Sequence, residues 1–164
     1  MDRLTIHTER LRLTLESLAA TRQRVLALPP GVREQVSADY LKLLDTASDG
    51  DFWVLGFNVS DRKTGATVGQ CGFKGPPSAA GMVEIAYAIE PEFQNQGFAT
   101  EAAAALTRFA LQQPEVQTVR AHSLPEANAS TRVLTKCGFR QLGEVQDPED
   151  GLVWRWEIGA TKNG

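Results

Sequence analysis

Hydrophobic residues recur at every second position at Leu11, Leu13 and Leu15, so "LTIHTERLRLTLE" predicts an opening strand. From Ser17 to Leu44 the period lengthens. Leu18, Val25 and Leu26 before "LPPG" (28–31), and Val32, Val36, Tyr40, Leu41 and Leu44 after it, have helical spacing and predict two helices about a Pro-Gly turn. "DFWVLGFNVS" and "TGATVGQCGFKG" are strand-like, and "SDRKTG" between them has the length and polarity of a hairpin connection. After the loop "GPPSAAG", the stretch "MVEIAYAIEP" alternates again and is closed by Pro91. In "GFATEAAAALTRFALQQP" the apolar Phe98, Ala102, Ala105, Leu106 and Phe109 share one face of a helix that Pro114 stops. "VQTVRAHS" is a short strand and "NASTRVLTKCG" a helix ending at Gly138; "FRQLGEV" and "GLVWRWEI" are two last strands about a "QDPED" turn. The order β-α-α-β-β-β-α-β-α-β-β predicts an α+β (α/β-like) fold, a mixed sheet with helices on both sides.

Composition narrows the class. A chain of 164 residues fits one domain (1–164) and is long enough to bury a real core. Hydrophobic residues at 42% and charged residues at 23% are the balance of a folded protein, not a disordered one. A net charge of −3 offers no basic face, which argues against nucleic acid as the main partner. No apolar run reaches the roughly 20 residues of a membrane span, and "MDRLTIHTERLRLT" mixes charges into its apolar positions, so neither a membrane anchor nor a secretory signal is expected and a cytoplasmic location is. Cys71 and Cys137 sit far apart in apolar contexts and read as buried free thiols. His7 and His122 have no metal-like spacing, so no metal is expected. "GQCGFKG" (69–75) runs along a strand and is no nucleotide fingerprint; Trp53, Trp154 and Trp156 read as sheet packing, the last two on one face.

The stretch "YAIEPEFQNQGFATEAAAAL" (87–106) carries the candidate chemistry. A helix N-terminus presents unpaired N–H groups and a partial positive charge, so it holds an anion without a charged side chain. Gln94, Asn95, Gln96, Gly97, Phe98, Ala99 and Thr100 form such a mouth, in which Gly97 lets the backbone turn and approach a ligand closely and Ala99 leaves space.

"Q-N-Q-G-F-A" (94–99) resembles the Q/R-x-x-G-x-G/A signature of the GNAT superfamily of N-acetyltransferases, whose successive amides hold the pyrophosphate of acetyl-CoA. "VEIAYAIEPEFQNQGFATEA" is similar to the strand-turn-helix segment of the branch that includes the ribosomal-protein N-terminal acetyltransferases. "PEANASTRVLTKCGF" resembles that branch's Asn-x-x-Ser-x-x-x-Leu-x-x-x-Gly-Phe helix, with Asn128 two residues before Ser130 instead of three. The early "TERLRL" is like its first strand. The resemblance runs from about Gly65 to Glu144 and is thin over Ser17 to Phe52. It implies a mostly antiparallel sheet, acceptor-side helices at 17–44 and a cofactor-binding core at 82–138. It also implies acetyl-CoA as cosubstrate, held by Ile89, Gln94, Gln96, Gly97, Phe98, Ala99, Thr100 and Asn128. The partner is then an amine acceptor, either a protein N-terminus or a small amine; a homodimer is compatible with this.

Transfer of acetyl to an amine needs a neutral amine, support for the carbonyl oxygen as it gains charge, and a proton for the departing thiolate. Neutralising a lysine-type amine at pH 7 costs about 4–5 kcal/mol, an α-amino group about 1. Glu84 shares its strand face with the small Ala86 and Ala88, and members of the superfamily often carry a glutamate near this place that acts as base through water; the same carboxylate also reads as a half-exposed salt-bridge partner. Glu101 is a rival base by sequence, but in the second turn of the helix it reads as dipole support or a solvent-facing group. Many superfamily members protonate the thiolate with a tyrosine after the downstream strand. This chain has no tyrosine beyond Tyr87, which leaves Ser130 as the donor, with Asn128 either positioning the pantetheine or a water, or capping its helix, or both. A non-catalytic CoA-binding sensor or interaction module of the same architecture is the alternative.

Overall fold

A computed structural model describes residues 3–33, 36, 38–148 and 151–159. The elements are β1 (Thr5–His7), β2 (Leu11–Leu15), α1 (Leu18–Leu26), α2 (Pro30–Arg33), α3 (Ala38–Thr46), β3 (Phe57–Asp61), β4 (Thr67–Phe73) and β5 (Met82–Ile89), then α4 (Phe98–Leu111), β6 (Thr118–Ser123), α5 (Ala129–Lys136), β7 (Arg140–Asp147) and β8 (Gly151–Gly159). A 3-10 turn, Pro91–Phe93, joins β5 to α4.

The strands make one eight-stranded sheet in the order β1-β2-β3-β4-β5-β6-β8-β7. Neighbours run antiparallel except β5 and β6, whose parallel pairing requires the crossover that α4 supplies. The predicted α+β class and mostly antiparallel sheet are what the chain forms.

Side-chain alternation sorts the sheet into two faces. Leu11, Leu13, Phe57, Val59, Val83, Ile85 and Val119 are buried on the face that α4 covers, where Ala102, Ala103, Ala105 and Ala110 let the helix lie close to the strands. Each fully buried leucine or valine there contributes about 1.5–3 kcal/mol. The other face carries Gln70, Gly72, Glu84, Ala86 and Ala88, and α1 and α3 stand over part of it.

Local chemistry explains where the elements depart from the sequence pattern. The opening strand divides into β1 and β2, because the Thr8 hydroxyl accepts the Leu11 amide at 2.9 Å and closes a turn over residues 8–10. The "LPPG" connection is itself the start of the short α2, with Pro30 at its first position, where a missing N–H costs nothing. The strand read into 51–60 begins only at Phe57, since the Val54 and Leu55 amides turn back onto the Asp51 carbonyl. Phe52 and Trp53 in that turn pack on Phe109 and Phe73, with ring centroids 5.1 and 4.8 Å apart. Leu26, counted on the apolar face of α1, is 61% exposed. The side chain of Val32 and the Glu149–Asp150 part of the "QDPED" turn lie outside the described residues.

β5 and β6 pair only at Met82–Thr118, Val83–Val119 and Glu84–Arg120; beyond Glu84 the strands part, and Ile85–Ile89 are bonded to β4 alone.

Candidate functional site

Two cavities meet where β5 leaves β6. The first, about 490 Å³, is lined by β5, by the mouth of α4 and by α5. The second, about 330 Å³, lies between α1, α3 and strands β4 and β5. Tyr87 and Ala88 line both.

The mouth of α4 is left uncapped. Gly97 is its N-cap residue, in the left-handed conformation (φ 84°, ψ 3°), and no side chain caps the helix. The amides of residues 95–100 donate to no acceptor among the described residues; the first bond back is from the Glu101 amide to the Gly97 carbonyl, at 3.1 Å. Fourteen residues of aligned peptide dipoles stand behind that row of donors. A Cβ on Gly97 would be strained by its φ and would lie 3.1 Å from the Arg10 guanidinium.

Arg10, on the β1–β2 turn, clamps this mouth from outside. It donates to the Gln96 carbonyl at 2.8 Å and to Glu101 at 2.7 Å, and its guanidinium carbon stands 4.6 Å from the centre of the Phe98 ring. Glu101, in the first turn of α4, is tied to the β1–β2 turn instead of being left to solvent. It accepts from the Arg10 amide and side chain and from the Thr8 hydroxyl, fixing the hairpin to α4. Burial pushes its carboxyl up, but these bonds and the arginine charge outweigh burial and hold it below the usual range.

The residues singled out for the cofactor divide accordingly. Ile89, Gln94, Gly97, Phe98, Ala99 and Thr100 line the first cavity. Gln96 does not; its carbonyl is taken by Arg10. Nor does Asn128, whose side chain accepts the Thr131 amide at 3.0 Å while Thr131 Oγ1 accepts the Asn128 amide, a reciprocal helix cap. Ser130 lines the cavity and is 3.1 Å from the Tyr87 hydroxyl.

Glu84 lies elsewhere. It lines neither cavity; its carboxylate pairs with Lys74 at 2.7 Å and lies 3.6 Å from Nδ1 of the buried His122. The His122 Nε2 accepts from Arg155 at 3.1 Å, which leaves the ring proton on the side of Glu84. The salt-bridge reading of Glu84 matches its pair with Lys74.

Several residues of the site escaped the sequence pattern. Tyr87 counts in the sequence only as an apolar strand position, yet the residue lines both cavities and its hydroxyl meets Ser130. Burial pushes that phenol up, partly offset by the Ser130 bond and reinforced by Cys137. Arg132 and Lys136 bring cationic side chains to the first cavity. Their spacing with Ala129 and Val133 on one helical face was the available signal. Arg24, Gln70 and Lys74 line the second cavity, brought there by α1 and β4. Both cysteines are free, as expected, with burial pushing Cys71 up to about 12 and Cys137 up to about 11. Among the described residues no cluster could hold a metal ion, and no helix is long and apolar enough to cross a membrane.

Comparison with known proteins gives this geometry a family. The sequence profile described as "Acetyltransferase (GNAT) domain" matches residues 7–140. The chain is 35% identical over 72 residues to the uncharacterized N-acetyltransferase YjdG of Bacillus subtilis, covering 44% of this chain and 43% of that one. It is 27% identical over 93 residues to the uncharacterized N-acetyltransferase p20 of Bacillus licheniformis, covering 57% and 52%. The chain thus spans about half the length of these curated relatives. Solved structures of similar fold include a GNAT-family acetyltransferase from Bacillus anthracis (TM-score 0.67, 20% identity, 96% of this chain and 99% of that one). The ribosomal-protein-S5-alanine acetyltransferase of Vibrio fischeri (TM-score 0.70, 14% identity, 97% and 98%) and RimL, a ribosomal L7/L12 alpha-N-protein acetyltransferase in complex with coenzyme A (TM-score 0.68, 16% identity, 95% and 98%), share it too. With the profile covering most of its length, over a parted β5–β6 pair and an uncapped helix mouth, the chain belongs to the GNAT acetyltransferase family.

Proposed function

We propose that this protein is an N-acetyltransferase that moves acetyl from acetyl-CoA to a primary amine by direct attack, with both substrates bound at once. One observation carries the reading: a cavity edged by uncapped helix amides opens, at Tyr87 and Ala88, onto a second cavity of small-molecule size.

The amides of 97–100 fit a diphosphate, and Arg132 and Lys136 add positive charge to the same cavity. Acetyl-CoA supplies an activated thioester: its carbon–sulfur bond breaks as a carbon–nitrogen bond forms, the amine loses one proton and the sulfur takes one. Tyr87 is the proton donor to the sulfur. Its phenol, pushed up by burial, keeps its proton at neutral pH, and Ser130 fixes its direction. An α-amino group, which costs about 1 kcal/mol to neutralise at pH 7, needs little help from a base, and the proton it gives up on attack passes through solvent to the phenolate that Tyr87 leaves behind. Arg24 and Lys74 in the wall of the second cavity are each paired with a carboxylate, Glu16 and Glu84. Glu84 acts from behind Lys74, holding that side chain in the wall.

Release of CoA in the presence of amines tests the reading. Wild-type protein releases CoA only when an acceptor is present, and Tyr87→Phe lowers kcat by about 10²–10⁴. Tight CoA binding with no turnover on any amine would replace the enzyme by a CoA-binding module.

A further inference from the structure

A trans peptide points its carbonyl and the amide that follows to opposite sides. The peptide between Gln96 and Gly97 is trans. Its carbonyl accepts from Nη1 of Arg10 at 2.8 Å, and Arg10 does not line the first cavity, whereas Gly97 does. The Gly97 amide, which has no acceptor among the described residues, therefore points away from Arg10.

That orientation is one of two. Gly97 has φ 84° and ψ 3°, the values of the third residue of a type II turn, and rotating the central peptide by about half a turn gives the type I arrangement, with a carbonyl where the amide stood. Glycine has no Cβ to oppose either arrangement, so its own geometry does not decide between them. Arg10 does. Its Nε donates to Glu101 at 2.7 Å, its Nη1 to the Gln96 carbonyl, and its guanidinium carbon stands 4.6 Å from the centre of the Phe98 ring; its backbone amide is bound to Glu101 as well, at 2.8 Å. A guanidinium fixed on so many sides has already given up its side-chain entropy, and holding one more carbonyl costs little. Because Arg10 and Glu101 together carry no net charge, what this pair brings to an anion is the direction of a neighbouring amide.

Resting on the acetyl-CoA reading above, we propose that Arg10 is a positioning residue for the cofactor: its bond to the Gln96 carbonyl selects the peptide orientation that aims the Gly97 N–H into the first cavity, at the cofactor diphosphate. The flipped peptide would set a carbonyl oxygen against that anion instead. The β1–β2 turn thus sets the direction of a donor 86–87 positions away, beyond its task of tying the hairpin to α4.

Calorimetry with CoA compares wild type, Arg10→Met and Glu101→Gln. The first variant keeps an apolar stem and removes the donor; the second weakens the tie to the hairpin and leaves the donor to Gln96 in place. The proposal predicts a Kd for CoA about tenfold higher in Arg10→Met, the scale of one hydrogen bond to a charged group, and within about threefold of wild type in Glu101→Gln, although both variants have a lower Tm. Equal losses of affinity in the two variants would make Arg10 an anchor of the hairpin only. That result, or an unchanged Kd in Arg10→Met, overturns the proposal and leaves the acetyl-CoA reading standing. Hydrogen exchange on the wild type needs no variant: the Gly97 N–H exchanges readily in the free protein and is slowed by saturating CoA. Exchange at Gly97 that CoA leaves unchanged while the amides of 98–100 become protected overturns the orientation. No binding of CoA by the wild type at all overturns the reading on which the proposal rests, and the proposal with it.

Discussion

At the residue scale the proposed chemistry rests on Tyr87, which lines both cavities and whose hydroxyl lies 3.1 Å from Ser130 Oγ. If it is the proton donor, replacing it by phenylalanine removes turnover and spares binding: the Kd for CoA, read by calorimetry, stays within about threefold while kcat falls as stated above. Since burial raises its pKa, the phenol remains protonated through neutral pH, and its loss of the proton can limit the rate only above the ordinary tyrosine range. A kcat profile falling between pH 7 and 9 and unchanged by Tyr87→Phe would remove it from the mechanism. Glu84, which touches neither cavity, should matter less: Glu84→Gln lowers kcat/KM by about tenfold or less, and a loss as large as that of Tyr87→Phe would restore it as the base. Cys137 gives a further residue-scale check. Its thiol, raised to about 11, is almost wholly neutral at pH 8, so it reacts with a disulfide reagent far more slowly than a free thiol peptide at that pH.

Among the elements, α4 and α5 carry the site and are held by opposite means. α5 is capped by its own sequence: Asn128→Ala removes the reciprocal bond with Thr131 and costs about 1 kcal/mol, or about 2–4 °C in Tm, while Asn128→Ser keeps most of it. α4 has no cap and is held by the hairpin instead, through Arg10 and Glu101. Because the folded-state pKa of Glu101 is depressed, its contribution is present above the unfolded glutamate value and is lost as pH falls through the folded one. Glu101→Gln should therefore be less stable than wild type at pH 7, with the gap in Tm closing as pH falls below about 4. A gap independent of pH would mean that packing, not charge, holds the hairpin.

These contrasts also explain what could be read from the chain. The α5 cap and the glycine at the mouth of α4 are local, so Asn128 and Gly97 are visible in sequence. Arg10 and Glu101 are 91 positions apart and meet only through the sheet, and nothing near either announces the other. Glu84 was placed on the correct face by alternation, but its ion pair depends on the end of the neighbouring β4. Tyr87 was hidden by the same alternation: its period assigns it to the apolar face, and only the parting of β5 from β6 turns that position into a site.

For the whole molecule, the parted strands are the organising defect. The β5–β6 ladder ends at Glu84, and beyond it lie two cavities that share Tyr87 and Ala88; in the proposed function one takes the cofactor and the other the acceptor. The most direct test is an amide-resolved NMR titration of labelled protein with CoA. The account predicts saturable shifts concentrated in the amides of residues 97–100, with those at the far end of the sheet, in β7, unmoved. Binding that leaves the 97–100 amides in place, or no shift at millimolar CoA, would contradict it.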